Sequence, residues 1–234
     1  MLCYIIVIMK AVIIAAGEGR RLHPLTLDRP KPLVEVLGKP LIQHIWEVLP
    51  DAIDEVVIVV GYKSEMMRAF LGDTFLGKRV TYVEQTEMLG TAHALKLCKS
   101  HLEHEEKFLL MYADDIHGVH AVKQCVDNCP SLLVHLVDDP RRFGVVMMSE
   151  NGMVKEIEEK PEHPRSNLAA TGVYALTPQI FEYDTTHTKN GEYYLTDMIE
   201  KYLRHHPMQA IESELWIPIA YPHDIARAEE ILSQ

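Results

Sequence analysis

Lys10-Ala11-Val12-Ile13-Ile14-Ala15-Ala16 runs into Gly17-Glu18-Gly19-Arg20-Arg21-Leu22-His23-Pro24-Leu25-Thr26 and then Arg29-Pro30-Lys31-Pro32-Leu33. The apolar, β-branched start reads as a buried strand, and the glycines after it permit backbone N–H groups to approach an anion closely. Arg21 and Lys31 supply positive charge beside that backbone, as a triphosphate requires. The stretch is therefore read as a strand followed by a phosphate cradle. A dinucleotide fingerprint needs Gly or Ala where Leu22 stands and a helix at once, which Pro24 and Pro30 prevent. A Walker A loop needs Gly-Lys-Ser/Thr, and Arg21-Leu22-His23 does not supply it.

Outward from this loop, strands are predicted over Glu55 to Val60, Val80 to Glu84, Phe108 to Ala113 and Leu132 to Val137. Helices are predicted over Pro40 to Leu49, Ser64 to Leu71 and Thr91 to Lys99. The β-α-β rhythm implies an α/β fold with a mostly parallel sheet covered on both faces. Beyond residue 140 the rhythm changes to a hairpin, Val145 to Ser149 with Val154 to Glu158 through Asn151-Gly152, and a strand from Leu168 to Leu176. No repeat or linker separates the halves, so residues 1–234 are expected to form one domain, with 9–140 and 141–234 as its two halves. In such sheets ligands bind beyond the carboxyl ends of the strands.

The chain has 234 residues, 47% apolar and 24% charged, which excludes a disordered or fibrous protein. With 23 Lys+Arg against 34 Asp+Glu, its net charge of −11 gives no global field for nucleic acid or acidic lipid. Any anionic ligand must be held by a local cluster. Cys3, Cys98, Cys125 and Cys129 form no disulfide framework or zinc spacing, so a reducing, cytoplasmic setting is expected. Cys125 and Cys129 fall four apart on a predicted helix and are read as buried thiols. The opening Met1 to Met9 lacks a basic leader and is read as a strand extension, with Met9 a candidate natural start. No run is long enough to span a membrane.

Two strand ends carry further chemistry. Val80 to Glu84 leads to Gln85, and Gly90-Thr91 opens the following helix. A glutamine amide offers one donor and one acceptor, matching the N3–H and O4 edge of uracil or thymine and mispairing with cytosine. Phe108 to Ala113 ends in Asp114-Asp115, where a carboxylate suits Mg²⁺ that takes its other ligands from phosphate and water.

The string Gly-x-Gly-x-Arg-Leu-x-Pro-Leu-Thr with the later Lys-Pro-Leu resembles the signature of the sugar-1-phosphate nucleotidylyltransferases. That resemblance spans residue 10 to about 232. It implies a Rossmann-like, three-layer nucleotidyltransferase fold of the GT-A kind. Arg21 and Lys31 would then be catalytic, with Ala16, Gly17, Gly19, Gln85, Gly90 and Thr91 around UTP or dTTP. It also implies Mg²⁺ on Asp114 and on Asp224, the latter in Tyr221-Pro222-His223-Asp224, which resembles a Tyr-Pro-Trp-Asp element. The strings Arg142-Phe143-Gly144, Glu159-Lys160-Pro161 and Asn167 to Tyr174 resemble sugar-site motifs, which places Gly144, Glu159, Lys160, Asn167, Gly172 and Tyr174 on a sugar 1-phosphate. Glucose 1-phosphate and N-acetylglucosamine 1-phosphate are the substrates so implied, with no nucleic-acid or membrane partner. The given residues stop before the β-helix of longer relatives, so acetyl transfer is not expected. A cytidylyl- or guanylyltransferase, or a non-catalytic NDP-sugar-binding subunit, is the alternative. The histidine pairs 101/104, 117/120 and 205/206 are read as surface residues, and the pairs Met66-Met67 and Met147-Met148 as core fillers.

Overall fold

The computed structural model describes residues 9–185 and 191–234. Cys3 and the proposed strand extension ahead of Met9 lie outside them. The first half contributes β1 (Met9–Ile14), the small pair β2 (Glu35–Val36) and β3 (Lys39–Pro40), α1 (Leu41–Glu47), β4 (Ile53–Val60), α2 (Ser64–Leu71), β5 (Thr74–Phe75) and β6 (Lys78–Glu84). There follow α3 (Thr91–Leu97), α4 (Lys99–Leu102), β7 (Phe108–Tyr112), β8 (Asp115–His117), α5 (Val119–Asp127) and β9 (Ser131–Leu136). The second half adds β10 (Gly144–Met148), β11 (Val154–Glu159), β12 (Leu168–Leu176), α6 (Leu195–Leu203), β13 (Gln209–Glu212), β14 (Trp216–Pro218) and α7 (Pro222–Leu232).

The main sheet runs β11-β10-β12-β7-β1-β4-β6-β5, with β9 beside β12 and β13 beside β9. β7, β1, β4 and β6 are parallel neighbours, and β12 is antiparallel to β7, so both halves of the chain share one mixed sheet. Side chains alternate between two cores, as the two-residue period of a strand dictates. Val12, Val57 and Val59 face a cluster with Leu95 of α3 and Met198 of α6. Ala11, Ile13, Val56 and Ile58 face Ile45 of α1, Met67 of α2 and Val122 of α5. Strands buried on both faces read as continuous apolar runs, which is how they were legible. Helix α1 buries Leu41, Ile42, Ile45 and Trp46, the i, i+3, i+4 stripe of an amphipathic helix. Its Trp46 meets Phe75 edge to face at 5.3 Å.

Some expectations are corrected. Helix α5 ends at Asp127, so Cys129 is not on it, and Cys98, Cys125 and Cys129 are free thiols. Burial pushes Cys98 and Cys125 up to about 12 and Cys129 up to about 11, which keeps them uncharged. Met67 is buried but Met66 is exposed. His117 is not a surface residue. It is 3% exposed in β8, opposite Trp216 of β14, and neither ring nitrogen has a hydrogen-bond partner among the described residues.

Burial pushes the His117 imidazole down to about 4, with the charge of Asp114 opposing the shift. Between about pH 6.5 and 4 the unfolded chain takes up a proton that the folded chain refuses, so stability falls as pH falls through that window. His117→Phe should flatten this component, worth up to about 1.4 kcal/mol per pH unit. Urea midpoints of both proteins from pH 4.5 to 7.5 measure it. A difference between them that does not vary with pH would show that His117 titrates normally in the fold.

Candidate active site

The loop after β1 is held by its own residues. Gly19 has φ 66°, and a Cβ there would lie 2.9 Å from Lys31 Cβ and 3.2 Å from Thr26 Cγ2. Only glycine accepts both that backbone and the passage of the lysine stem. The Thr26 hydroxyl donates to the Gly19 carbonyl at 2.9 Å, and Leu22 is buried beneath the turn. Lys31 is itself buried, and its Nζ donates to Asp114 Oδ2 at 3.1 Å. The Arg21 guanidinium lies over the Tyr221 ring, 5.7 Å from its centroid. Arg20 pairs with Glu18 at the exposed rim.

The two acids after β7 have opposite environments. The side chain of Asp114 is 40% exposed beside Lys31. Asp115 is buried and accepts a 2.8 Å hydrogen bond from the Trp216 indole N–H. Burial, then the neighbouring Asp114, holds the Asp115 carboxyl well above the usual carboxylate range, against Lys31 and Trp216. Asp224 stands in the first turn of α7. Its Oδ2 accepts the backbone N–H groups of Ala220 at 2.8 Å and Tyr221 at 2.7 Å. It therefore caps the helix through one oxygen and keeps Oδ1, which lies 3.5 Å from His223 Nε2.

At the other end of the cleft Gln85 is 3% exposed, and its Nε2 reaches both Gly90 O at 3.2 Å and His93 Nδ1 at 3.0 Å. The protein thus takes both amide hydrogens and leaves the acceptor oxygen. Gly90 has φ 100°, and the following turn is laced to a distant segment. Tyr193 N–H donates to Leu89 O, Ala92 N–H to Tyr193 O, and Leu195 N–H to Thr91 Oγ1. Tyr112 lies where the two ends meet, its phenol pushed well above its ordinary value by burial and then by Tyr174, against a hydrogen bond with Thr91.

On the second half, Glu159 accepts from Thr196 Oγ1 at 2.9 Å and pairs with Lys160 at 2.9 Å. Lys160 lies 4.5 Å above the Tyr194 ring. Burial opposes its charge, but Glu159, Tyr194 and Glu192 together raise its pKa. Gly144 and Gly172 make room for the protein itself, because Cβ atoms there would meet Thr196 Cγ2 at 2.9 Å and the Tyr112 ring at 2.6 Å. Tyr174 is buried against Tyr112.

A cavity of about 380 Å³ is lined by Gly17, Gly19, Arg21, Lys31, Gln85 and Asp114 among others. A second, of about 330 Å³, is lined by Arg21, Lys31, Asp114, Asp224, Glu159 and Lys160 among others. Because Arg21, Lys31, Thr91, Tyr112 and Asp114 belong to both, the two form one cleft from Gln85 to Lys160. Gly90 and Thr91 line its first part, and Gly144, Gly172 and Tyr174 its second. Two anticipated residues are not brought in. Asn167 is exposed at the start of β12, where its carbonyl accepts from Val137 N–H. Ala16 is buried, with its carbonyl bonded to Tyr62 N–H. Sequence reasoning also missed lining residues, among them Arg142, Thr171, Trp216, Glu192 and Tyr194. Arg142 and Thr171 stand within quoted motifs, Thr171 directly before Gly172, whereas Trp216, Glu192 and Tyr194 carried no local signal.

Among the described residues no three His, Cys, Asp or Glu side chains cluster as metal ligands. Two hard carboxylates in a cleft with room for phosphate and water nevertheless fit the donor chemistry of Mg²⁺, which keeps several non-protein ligands.

The profile of the nucleotidyl transferase family matches residues 10–233. The chain belongs to that family. This nucleotidyltransferase is 38% identical over 238 residues to a UTP–glucose-1-phosphate uridylyltransferase of Haloferax volcanii, covering 97% of each chain. A bifunctional protein of Methanocaldococcus jannaschii is 33% identical over 96% of this chain, which spans only 54% of that relative. A Bacillus anthracis structure assigned as a glucose-1-phosphate thymidylyltransferase superposes with TM-score 0.83 at 30% identity, covering 95% and 94% of the two chains. A UDP-glucose pyrophosphorylase solved with UDP-glucose superposes at 0.86 and 24% identity over 97% and 98%, which shows the shared fold.

A Cβ on Gly90 would lie 2.5 Å from Tyr193 O and 2.8 Å from Tyr193 N, at a φ that L-residues avoid. Gly90→Ala should therefore cost about 1–3 kcal/mol and part the turn from its partner segment. The expected readouts are a lower urea midpoint and a raised KM for nucleotide. An unchanged midpoint would mean that the turn moves freely.

Proposed function

We propose that this nucleotidyltransferase transfers a uridylyl or thymidylyl group from UTP or dTTP to a sugar 1-phosphate, giving an NDP-sugar and pyrophosphate. Glucose 1-phosphate is the leading acceptor, followed by N-acetylglucosamine 1-phosphate. The observation that carries the reading is the single cleft in which cations near the amino terminus, two distant carboxylates and the Glu159-Lys160 pair face one another. The names of the Haloferax volcanii and Bacillus anthracis relatives support the two nucleotides and glucose 1-phosphate.

In this reaction an oxygen of the ionised 1-phosphate attacks the α-phosphorus, the bond to the β-phosphate breaks, and pyrophosphate leaves. The nucleophile already carries its charge at neutral pH, so no protein base is needed and the work is positioning and charge stabilisation. Arg21 and Lys31 hold the triphosphate, and Lys160 orients the 1-phosphate. Asp114 and Asp224 would hold Mg²⁺, which supplies neutralisation of charge on the transferring group when bound. Gln85 reads the base through its free acceptor oxygen, which takes the N3–H of uracil or thymine. Cytosine presents an acceptor at that atom and is repelled. Reaching O4 as well requires the amide to release Gly90 or His93. A cytoplasmic setting is part of this reading and agrees with the free, un-ionised thiols. Among the described residues no helix is long and apolar enough to cross a membrane.

The test is pyrophosphate release from UTP, dTTP, CTP and GTP with either sugar 1-phosphate, with and without Mg²⁺. Turnover is expected with UTP or dTTP and Mg²⁺, falling on the order of a hundredfold or more in Lys31→Ala and Asp114→Ala. Normal release from both variants would overturn the roles. Turnover confined to CTP or GTP would overturn the base reading, and binding without turnover would point to a regulatory subunit.

A further inference from the structure

Among the described residues, the cleft lining contains one residue with a fully buried side-chain polar atom that has no hydrogen-bond partner. Thr171 is 1% exposed and lines the second cavity, and its Oγ1 has no hydrogen-bond partner among the described residues. The other buried polar atoms without partners belong to Trp46 and His117, which do not line the cleft. A buried hydroxyl without a partner is unfavourable, and native proteins leave few of them.

Its placement comes from an irregularity in the sheet. In the β9–β12 ladder Ala170 pairs with Val134 and Tyr174 with Leu132, so Thr171, Gly172 and Val173 oppose Leu133 alone. Such a bulge turns a side chain away from the regular alternation. Here it also holds Gly172 at φ 84°, against the Tyr112 ring. The residues sharing this cavity combine aromatic rings with a few polar side chains. Trp216 meets Phe143 edge to face at 5.0 Å, and the Trp216 indole is fixed by Asp115. Apolar aromatic surface beside a few placed polar groups is the kind of lining that suits the C–H groups and hydroxyls of a pyranose.

We infer that Thr171 is a specificity residue for the acceptor, its Oγ1 forming a hydrogen bond with one ring hydroxyl of the hexose 1-phosphate. The inference rests on the reaction proposed above and adds the group that recognises the sugar. It differs from a structural role in a measurable way. A hydroxyl already bonded within the fold stabilises the empty enzyme, whereas an unpartnered one does not.

The experiment compares wild type, Thr171→Val and Thr171→Ser. Valine keeps the shape and removes the oxygen, and serine keeps the oxygen. Steady-state KM is measured separately for UTP and for glucose 1-phosphate and its monodeoxy analogues. In Thr171→Val the KM for glucose 1-phosphate should rise about tenfold, with the KM for UTP unchanged and a melting temperature no lower than wild type. Thr171→Ser should stay within about threefold of wild type. Wild type should disfavour one deoxy analogue by about the same tenfold, and Thr171→Val should no longer distinguish it, because the two deletions remove the same bond. An unchanged KM for glucose 1-phosphate in Thr171→Val, or equal rises for both substrates with a lowered melting temperature, would overturn the inference. If Thr171→Val fails to fold, the hydroxyl is structural and the inference is also overturned. A wild-type enzyme inactive with every sugar 1-phosphate would instead sink the parent reaction, and the inference with it.

Discussion

The parallel register between β1 and β7 places the site. Ile14 pairs with Tyr112, and Ala113 N–H donates to Ile14 O, so the chain leaves both strands at the same edge of the sheet. The anion-cradle loop and the two adjacent acids therefore emerge side by side although about a hundred residues separate them. The Lys31 to Asp114 bond at 3.1 Å closes that gap. It also sorts the acids, because Asp114 turns toward the lysine and the cleft while Asp115 turns toward Trp216 of β14. A shift of one residue would exchange those fates, leaving the well-exposed carboxylate buried and the buried one in solvent.

The cleft must attract polyanions on a chain whose net charge is −11. It does so by holding cations on aromatic faces as well as on acids. Arg21 and Arg142 both lie within 6 Å of the Tyr221 centroid, at 5.7 and 5.9 Å, and neither makes an ion pair among the described residues. The neighbouring Arg141, by contrast, forks onto Asp139 and points its charge elsewhere. An aromatic face orients a guanidinium without neutralising it, so its charge stays available to a phosphate. Lys31 is the different case, since its ammonium is buried and already donates to Asp114.

What could be read from the sequence was whatever repeats locally. The strand over Leu168–Leu176 was legible residue for residue, since an unbroken small and apolar run ends at Pro178. The loop at Gly17 to Lys31 was legible because glycine, proline and cations each have a local reason to be there. The seam between Leu89–Ala92 and Tyr193–Leu195 was not, because it is made of two backbone bonds and one bond to the Thr91 hydroxyl across about a hundred residues and leaves no periodic trace. His117 was misread for a similar reason. It sits in a three-residue strand whose partner, β14, is a hundred residues away, and a single histidine beside Gly118 carries no sign of burial. Thr171 escaped because the bulge that turns it exists only when β9 is in place. Asn167 is the converse, a motif position that shares the sugar-site string but is exposed and not among the residues lining the cleft.

Asp224 shows why a capping reading and a ligand reading of one residue need not compete. A carboxylate has two oxygens, and here the first turn of α7 uses only Oδ2, through two backbone N–H groups at 2.8 and 2.7 Å. Those charge-assisted bonds lock the side-chain rotamer, so the second oxygen is held in a fixed direction without any ligand to direct it. Asp224 is the third residue of α7, where a side chain reaches back to the N-cap backbone and an acid also meets the positive end of the helix dipole. An asparagine keeping the two N–H bonds through its single oxygen would turn an amide N–H₂ outward, where it could only repel a cation. The start of the helix thus explains how this acid is so well placed, with Oδ1 turned to the cleft side, 3.5 Å from His223 Nε2.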